Sequence, residues 1–246
     1  MKRFLASIAS SRPWRSFVRH GWPDNPLDRS LIMTSNLFFH LHPVKISRAS
    51  LRPSYSFGLG VISIILFGFL AVSGTLLMFY YVPSVERAYT NIVELQTEIG
   101  FGQLMRNAHR WAAHLMVVAV VLHMLRVFYT GAYKPPREFN WVVGVVLLIL
   151  TLSASFTGYL LPWDQLSYWA ITVGTNIAGY TPVLGTQIQA LLLGGPEVGQ
   201  EALTRFYALH VMGVPGLMLA VMSLHLWRVR KDGGLAASDR GPDDGR

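Results

Sequence analysis

The sequence predicts an all-α membrane protein built on a bundle of four transmembrane helices. Hydrophobic residues make up 52% of the 246 residues and charged residues 14%, whereas a soluble domain carries about 25% charged residues. Four stretches are nearly free of charge and reach the roughly 20 residues that a helix needs to cross about 30 Å of hydrocarbon. The connections between them alternate in charge, as expected of a chain that crosses a membrane repeatedly.

The predicted spans are residues 55–81, 108–130, 141–161 and 206–227. Trp141, Trp163 and Trp227 stand at or beside the ends of these runs, and indole rings favour the interface between lipid and water. A fifth uncharged stretch, 165–195, is interrupted by glycines, a proline and amide side chains. We therefore predict short interfacial helices between the third and fourth spans in place of a fifth crossing.

The signs of the charges predict the topology. Basic residues gather before the first span, after the second and after the fourth: Arg12, Arg15, Arg19, Lys45, Arg48, Arg52; Arg126, Lys134, Arg137; Arg228, Arg230, Lys231. Acidic residues are found in the other two connections: Glu86, Glu94, Glu98, Asp164, Glu197, Glu201. Because basic loops stay on the cytoplasmic side, both termini are expected in the cytoplasm, with the protein in a bacterial inner membrane or its equivalent.

Three parts are predicted along the chain: a basic cytoplasmic or interfacial extension at 1–53, the four-span domain at 54–230 and a polar cytoplasmic tail at 231–246. Cysteine is absent, which excludes disulfides, thiolate-bound metals, an iron–sulfur cluster and a thioether-linked haem in this chain. The 21 basic residues exceed the 13 acidic ones. Aromatic and basic residues do not alternate as they do in nucleic-acid-binding segments, so we expect no nucleic-acid partner.

Four histidines stand inside the second and fourth spans. His109 and His123 are 14 residues apart, which is about four turns and about 21 Å, so both lie on nearly one face. His210 and His225 are 15 apart, and Pro215 between them can loosen the helix locally. Since both helices run from outside to inside, we predict an outer pair, His109 with His210, and an inner pair, His123 with His225.

Two imidazoles in an apolar bundle favour a haem iron with both axial positions filled. The first and third spans each repeat the 14-residue spacing in glycines, Gly60 with Gly74 and Gly144 with Gly158. A missing side chain lets the edge of a flat macrocycle approach the backbone. Four arginines near the helix ends are candidates to pair with haem propionates: Arg106, Arg110, Arg126 and Arg205.

Packing explains each of these features when it is taken alone. A membrane histidine can be a hydrogen-bonded packing residue, glycines are often packing notches, and terminal arginines are usually interfacial anchors. The shared spacing of histidines and glycines favours haem. His114, five residues from His109, lies on another face and is interpreted as a packing or quinone-pocket residue. His20, His40 and His42 are expected to be solvated or interfacial.

Four segments resemble the N-terminal half of cytochrome b, and within it the short form called cytochrome b6: GTLLMFYYVPS, NAHRWAAHLMVVAVVLHMLRVFYTGAY, TGYLLPWDQLSYWAITVGTN and LTRFYALH. The resemblance covers roughly residues 55 to 233. The PWDQ tetrapeptide and the 15-residue spacing of His210 and His225 are more similar to cytochrome b6 than to the mitochondrial type, whose spacing there is one residue shorter.

The resemblance implies two noncovalent b haems, the outer one held by His109 and His210 and the inner one by His123 and His225. It implies an outer quinol-oxidising pocket lined by Tyr159, Pro162, Trp163 and the segment up to Ala170. Mitochondrial members have glycine where this chain aligns Ala170. Gly58 stands where cytochrome b6 attaches a further haem through cysteine, and with Arg230 it is expected to leave room for a quinone against the inner haem.

The expected function is that of the diheme cytochrome b subunit in a quinol:cytochrome c, or plastocyanin-like, oxidoreductase. The family implies several partners: a separate C-terminal subunit that carries the PEWY motif missing here, a Rieske iron–sulfur protein, a c-type cytochrome, and a second copy in a homodimeric complex. One alternative is the diheme membrane anchor of a respiratory dehydrogenase or reductase, which PWDQ and the glycine pairs argue against. Another is a scaffold without haem.

Overall fold

The computed structural model describes residues 25–27, 29 and 56–232. Nearly all of the predicted extension at 1–53, including His20, His40 and His42, lies outside these residues, as does most of the predicted tail. The described helices, in chain order, are α1 Leu59–Met78, α2 Ala88–Thr97, α3 Gly102–Tyr129, α4 Glu138–Tyr159, α5 Gln165–Gly179, α6 Gly185–Leu193, α7 Gln200–Ala208 and α8 Val214–Lys231. A π-helical turn, Leu209–Gly213, joins α7 to α8.

Among residues 56–232, four helical stretches are long and apolar enough to cross a membrane: α1, α3, α4 and the continuous segment Gln200–Lys231. This confirms the predicted number of spans. The fourth is longer than its apolar run because the helix begins at Gln200 and continues through Glu201 and Arg205. These charged residues mark the start of the apolar run at 206, but they do not end the helix. Hydropathy alone therefore predicted the start of the fourth span six residues later than the helix begins.

The bundle consists of two helix pairs, since α1 packs along α3 and α4 packs along α8. Met116 and Val120 of α3 form a small buried cluster with Met218 of α8. Apolar side chains of α1 and α4, including Leu70 and Leu148, pack against it. Because these positions lie between the two histidines of each span, an apolar layer separates the outer from the inner pair.

The stretch between the third and fourth spans contains α5 and α6, which confirms the predicted interfacial helices. Asp164 caps α5, with its Oδ1 atom accepting the backbone N–H of Ser167 at 2.8 Å. A second buried cluster joins this region to the fourth span through Leu160, Ile171 and Phe206. α5 and α6 are therefore held against the half of the bundle that contains His109 and His210.

Candidate functional site

Four histidine side chains reach toward one another in two pairs from α3 and the fourth span. The ring centroids of His109 and His210 are 6.3 Å apart, with an angle of 76° between the ring planes. Those of His123 and His225 are 6.5 Å apart at 79°. The structure thus brings together the same partners that the spacing predicted, at two levels of the bundle.

The π-helical turn explains how a 15-residue spacing presents two rings on one face. A π turn takes one more residue than an α turn and so absorbs the extra residue between His210 and His225. Sequence reasoning placed this loosening at Pro215, whereas the irregular turn is Leu209–Gly213 and Pro215 stands in the first turn of α8. Proline lacks a backbone N–H, so the distortion falls on the turn that precedes it.

Each of the four predicted glycines lies against one of these imidazoles. The distance from a methyl group placed on the glycine to the Cε1 atom of the ring is 3.5 Å for Gly60 and His123, 3.2 Å for Gly74 and His109, 3.7 Å for Gly144 and His225, and 2.5 Å for Gly158 and His210. Each of the four histidine rings therefore has a glycine beside it on the neighbouring helix of its pair. This arrangement explains why the histidines and the glycines share a spacing.

Hydroxyl groups orient the outer pair. The Ser73 hydroxyl donates to the Phe69 carbonyl at 2.7 Å, so its oxygen is left to accept from Nδ1 of His109 at 2.8 Å. Nδ1 of His210 lies 3.1 Å from the carbonyl oxygen of Ala154, which can only accept. Both rings therefore carry their proton on Nδ1 and leave the Nε2 lone pair for a metal.

Two of these orienting groups were missed in the sequence, although each directly precedes a predicted glycine. Ser73 comes before Gly74, and Thr157, whose Oγ1 lies 3.2 Å from Nδ1 of His210, comes before Gly158. A small hydroxyl residue next to a glycine on the facing helix was the available signal. At the inner level, His225 meets the backbone of Asn140.

The geometry of the pairs fits a metal held in a macrocycle. Two metal–nitrogen bonds of about 2.0–2.1 Å, together with the two ring radii, place the centroids of opposed imidazoles about 6.3 Å apart. The observed separations are 6.3 and 6.5 Å. Among residues 56–232 no group of three or more metal-ligating side chains is assembled, and each pair offers two imidazole ligands.

The four candidate arginines differ in their surroundings. Arg205 donates through Nη1 to the carbonyl oxygens of Ala190 and Leu191 at the end of α6. Its guanidinium is therefore engaged in fastening α6 to the fourth span. Arg106 is half-buried and Arg110 exposed near the start of α3, and Arg126 is half-buried in its last turn.

The predicted outer pocket follows α4. Tyr159 ends α4 and is half-exposed, Pro162 and Trp163 lie in the connection to α5, and Trp163 adopts a left-handed backbone with φ of 52°. Ala170 is half-buried against the cluster that includes Leu160. Trp163 and Ala170 therefore pack against one cluster, and Tyr159 and Pro162 lie beside Leu160 in the chain.

Tyr81 contacts the connection between α4 and α5 and the helix α7. Its hydroxyl donates to the carbonyl of Leu161 at 2.6 Å, and its ring stacks on Tyr207 with centroids 5.6 Å apart. Burial raises the pKa of the Tyr81 phenol well above its ordinary value, so it stays protonated and remains a donor. The connections after α1 and α4 are thereby tied to the fourth span.

At the opposite end, Gly58 precedes α1 with a left-handed φ of 63°, and a methyl group placed on it would meet nothing within 4 Å. Arg230 is half-buried in the last turn of α8. His114 belongs to neither pair. It meets the edge of Trp111, with ring centroids 5.8 Å apart.

Comparison with known proteins places this architecture in one family. The family model described as cytochrome b/b6/petB matches residues 45–233. The chain is 40% identical over 215 residues to the menaquinol:cytochrome c reductase cytochrome b subunit of Bacillus subtilis, covering 87% of this chain and 96% of that protein. It is 44% identical over 177 residues to cytochrome b6 of Heliomicrobium gestii, covering 72% and 83%.

The fold is also similar to a solved structure of a hyperthermophilic respiratory Complex III, with a TM-score of 0.71 and 27% identity. That similarity covers 94% of this chain but only 59% of the longer chain in the complex. The family model covers the whole described bundle. The two relatives are 40% and 44% identical to this chain, and the matches cover 96% and 83% of their lengths. The chain belongs to the cytochrome b family.

Proposed function

We propose that this protein is the diheme cytochrome b subunit of a quinol-oxidising complex of the bc or b6f type. The observation that carries the proposal is the pair of opposed imidazole sets, with centroids 6.3 and 6.5 Å apart and glycines beside every ring. The two sets lie about 21 Å apart along α3, as four helical turns require. They are separated by the apolar layer around Met116 and Met218.

His109 and His210 would hold the outer haem, and His123 and His225 the inner one. When bound, a b haem with two axial imidazoles supplies reversible one-electron transfer and offers no open position for oxygen or substrate. Ser73, Thr157 and the Ala154 carbonyl keep the outer rings in the tautomer that ligates through Nε2. Of the candidate arginines, Arg106, Arg110 and Arg126 are the ones we assign to propionates.

The outer quinol pocket in this proposal is lined by Tyr159, Pro162, Trp163 and Ala170, and the inner quinone site lies near Arg230 and Gly58. Oxidation of a quinol outside releases protons there, and reduction of a quinone inside takes them up from the cytoplasm, where both termini would lie. The complex would further contain a PEWY-bearing subunit, a Rieske protein and a c-type or plastocyanin-like acceptor, with two copies of each.

Purification of the complex from membranes tests the proposal. We expect a pyridine haemochrome assay to give two b haems per copy of this chain, and quinol to reduce them. A single haem, or none, would refute the diheme assignment. Reduction only through a peripheral dehydrogenase, without oxidation of quinol, would favour the membrane-anchor alternative instead.

Both haems should be removable without breaking a covalent bond. A thioether link needs a cysteine sulfur, and the chain has none. Denaturing electrophoresis with haem staining is expected to leave the 27.5 kDa band without peroxidase activity. Activity that migrates with this band after complete denaturation would contradict the prediction.

Replacing His114 by phenylalanine should leave both haems in place. The His114 ring meets Trp111 and neither histidine pair, so its removal costs only packing. Reduced-minus-oxidised spectra of membranes are expected to match those of the unmodified protein. Loss of either haem signal would show that His114 supports a ligand, contrary to the face on which it lies.

A further inference from the structure

Buried polar atoms without a hydrogen-bond partner gather at the inner end of the bundle. Within residues 56–232 they include Nε of Arg137, Oδ1 of Asn140, Nε of Arg228 and Oδ2 of Asp232. These atoms belong to the start of α4 and the end of α8, two elements that pack along each other. Native proteins satisfy nearly all such groups, with ordered water where protein partners are missing.

Asp232 is fixed between two guanidinium groups. Nη2 of Arg228 lies 3.0 Å from its Oδ1 atom, and Nη2 of Arg137 donates to its backbone carbonyl at 3.0 Å. The side chain of Asp232 is only 7% exposed and that of Arg228 18%. One carboxylate oxygen is therefore paired, while the other is buried with nothing to accept from among the described residues.

The polar atoms continue from Asp232 toward the inner histidine pair. Asn140 follows Arg137 by about one helical turn and is 9% exposed, and its backbone meets His225. His225 itself precedes Asp232 by about two turns on α8. The series thus leads from the end of α8 to the level of the inner pair.

The hydrogen-bonding roles of these atoms determine which kind of group can bind between them. The two Nε atoms donate, whereas the oxygens of Asn140 and Asp232 accept. An anion would satisfy only the donors and be repelled by Asp232, and a cation would satisfy only the acceptors and be repelled by the arginines. Water donates and accepts, so it can satisfy the whole set.

We propose that Arg137, Asn140, Arg228 and Asp232 hold a chain of ordered waters through which Asp232 passes protons toward the inner quinone site. This inference rests on the proposed function, because only reduction of quinone at that end requires protons there. Conversion of one quinone to a quinol consumes two electrons and two protons, and the inner haem of the proposed function would supply the electrons. Asp232 takes each proton from the aqueous side, releases it to the chain of waters and returns to the carboxylate.

Several charged side chains lie near Asp232. Arg228 is on the helix that Asp232 ends, Arg137 is the N-cap of α4, and Arg230 and Lys231 complete the last turn of α8. Glu138, next to Arg137, is an exposed carboxylate at the same end. It lacks the buried position and provides a matched control.

The decisive variant is Asp232→Asn in the assembled complex, which keeps the side-chain volume and removes the carboxylate. After a pulse of quinol, we expect reoxidation of the inner haem to slow by about 10²-fold, the lower end of what a positioned proton-transfer group contributes, and to lose its dependence on pH. Reduction of the outer haem should be unchanged. Glu138→Gln is expected to behave as the unmodified complex.

Asn140→Leu removes an acceptor from the series without touching the ion pair, and decides the matter if Asp232→Asn does not assemble. It should also slow reoxidation and proton uptake. Unmodified rates and pH profile in either assembled variant, in a complex that still binds two haems and oxidises quinol, would overturn the proton route while leaving the proposed function intact. A complex that lacks haems or quinol oxidation before any substitution would instead refute the proposed function.

Discussion

Replacing His210 by leucine is expected to remove the outer haem and to leave the inner haem in place. Leucine keeps the apolar volume of the site but offers no nitrogen to a metal. His109 alone would then remain to hold the outer haem, which both imidazoles would hold in the unmodified protein. Their ring centroids lie 6.3 Å apart. The inner pair, about 21 Å away along the helix, keeps both of its imidazoles.

The measurement is the haem content of purified membranes together with a redox titration of the remaining signal. We expect one haem per chain, quinol oxidation abolished, and the remaining haem still reducible from the inner side. His123→Leu is the matched control, because it removes a ligand of the other pair and should retain the outer haem. Loss of both haems from one variant, with the protein still present in the membrane, would contradict the independence of the two levels.

Periodicity was sufficient to predict the pairing of the histidines, since a residue's face on a helix follows from the number of residues between them. The four spans, the short helices between the third and fourth spans and the spacing that glycines and histidines share follow from the same arithmetic and from hydropathy. The sequence predicted that the glycines leave room for a macrocycle edge, and their contact with the imidazole rings comes from the structure. What periodicity could not supply was the exact turn at which the fourth span departs from the α-helix. That turn, Leu209–Gly213, contains His210 itself.

Local hydrogen bonding was also beyond the sequence pattern. A serine or threonine in a membrane helix usually bonds to its own backbone, and Ser73 does so through the Phe69 carbonyl. Its oxygen remains free to accept from His109 because the facing helix brings that ring within 2.8 Å. Only the packing of α1 on α3 reveals this second role.

The hydrogen-bond acceptors of Arg205 could not be predicted from the sequence either. Its position near His210 in the sequence made it a candidate for a propionate, yet its guanidinium donates to carbonyl oxygens at the end of α6. A helix end leaves its last carbonyls without intrahelical partners. Which acceptor an arginine finds therefore depends on the course of the chain between the third and fourth spans, which composition does not determine.

Gly158→Ala is expected to weaken or abolish binding of the outer haem, although it adds one methyl group and changes no ligand. The added carbon would lie 2.5 Å from Cε1 and 3.0 Å from Nε2 of His210. The ring cannot move away freely, because Nδ1 is held near both the Ala154 carbonyl and the Thr157 hydroxyl. Overpacking of this kind costs about 1–3 kcal/mol, and about 1.4 kcal/mol corresponds to tenfold in affinity.

Three further glycines turn this into a graded series. At Gly74 the corresponding separation from His109 is 3.2 Å, at Gly144 it is 3.7 Å from His225, and at Gly68 nothing lies within 4 Å. Haem retention should therefore be lowest for Gly158→Ala, intermediate for Gly74→Ala and close to normal for Gly144→Ala and Gly68→Ala, measured by absorbance of the outer and inner haems during mild detergent washing. Alanine also favours a helix over glycine by about 1 kcal/mol, so Gly68→Ala should be at least as stable as the unmodified chain. Equal retention in all four variants would show that the glycines serve helix packing alone and that the rings are not confined by them.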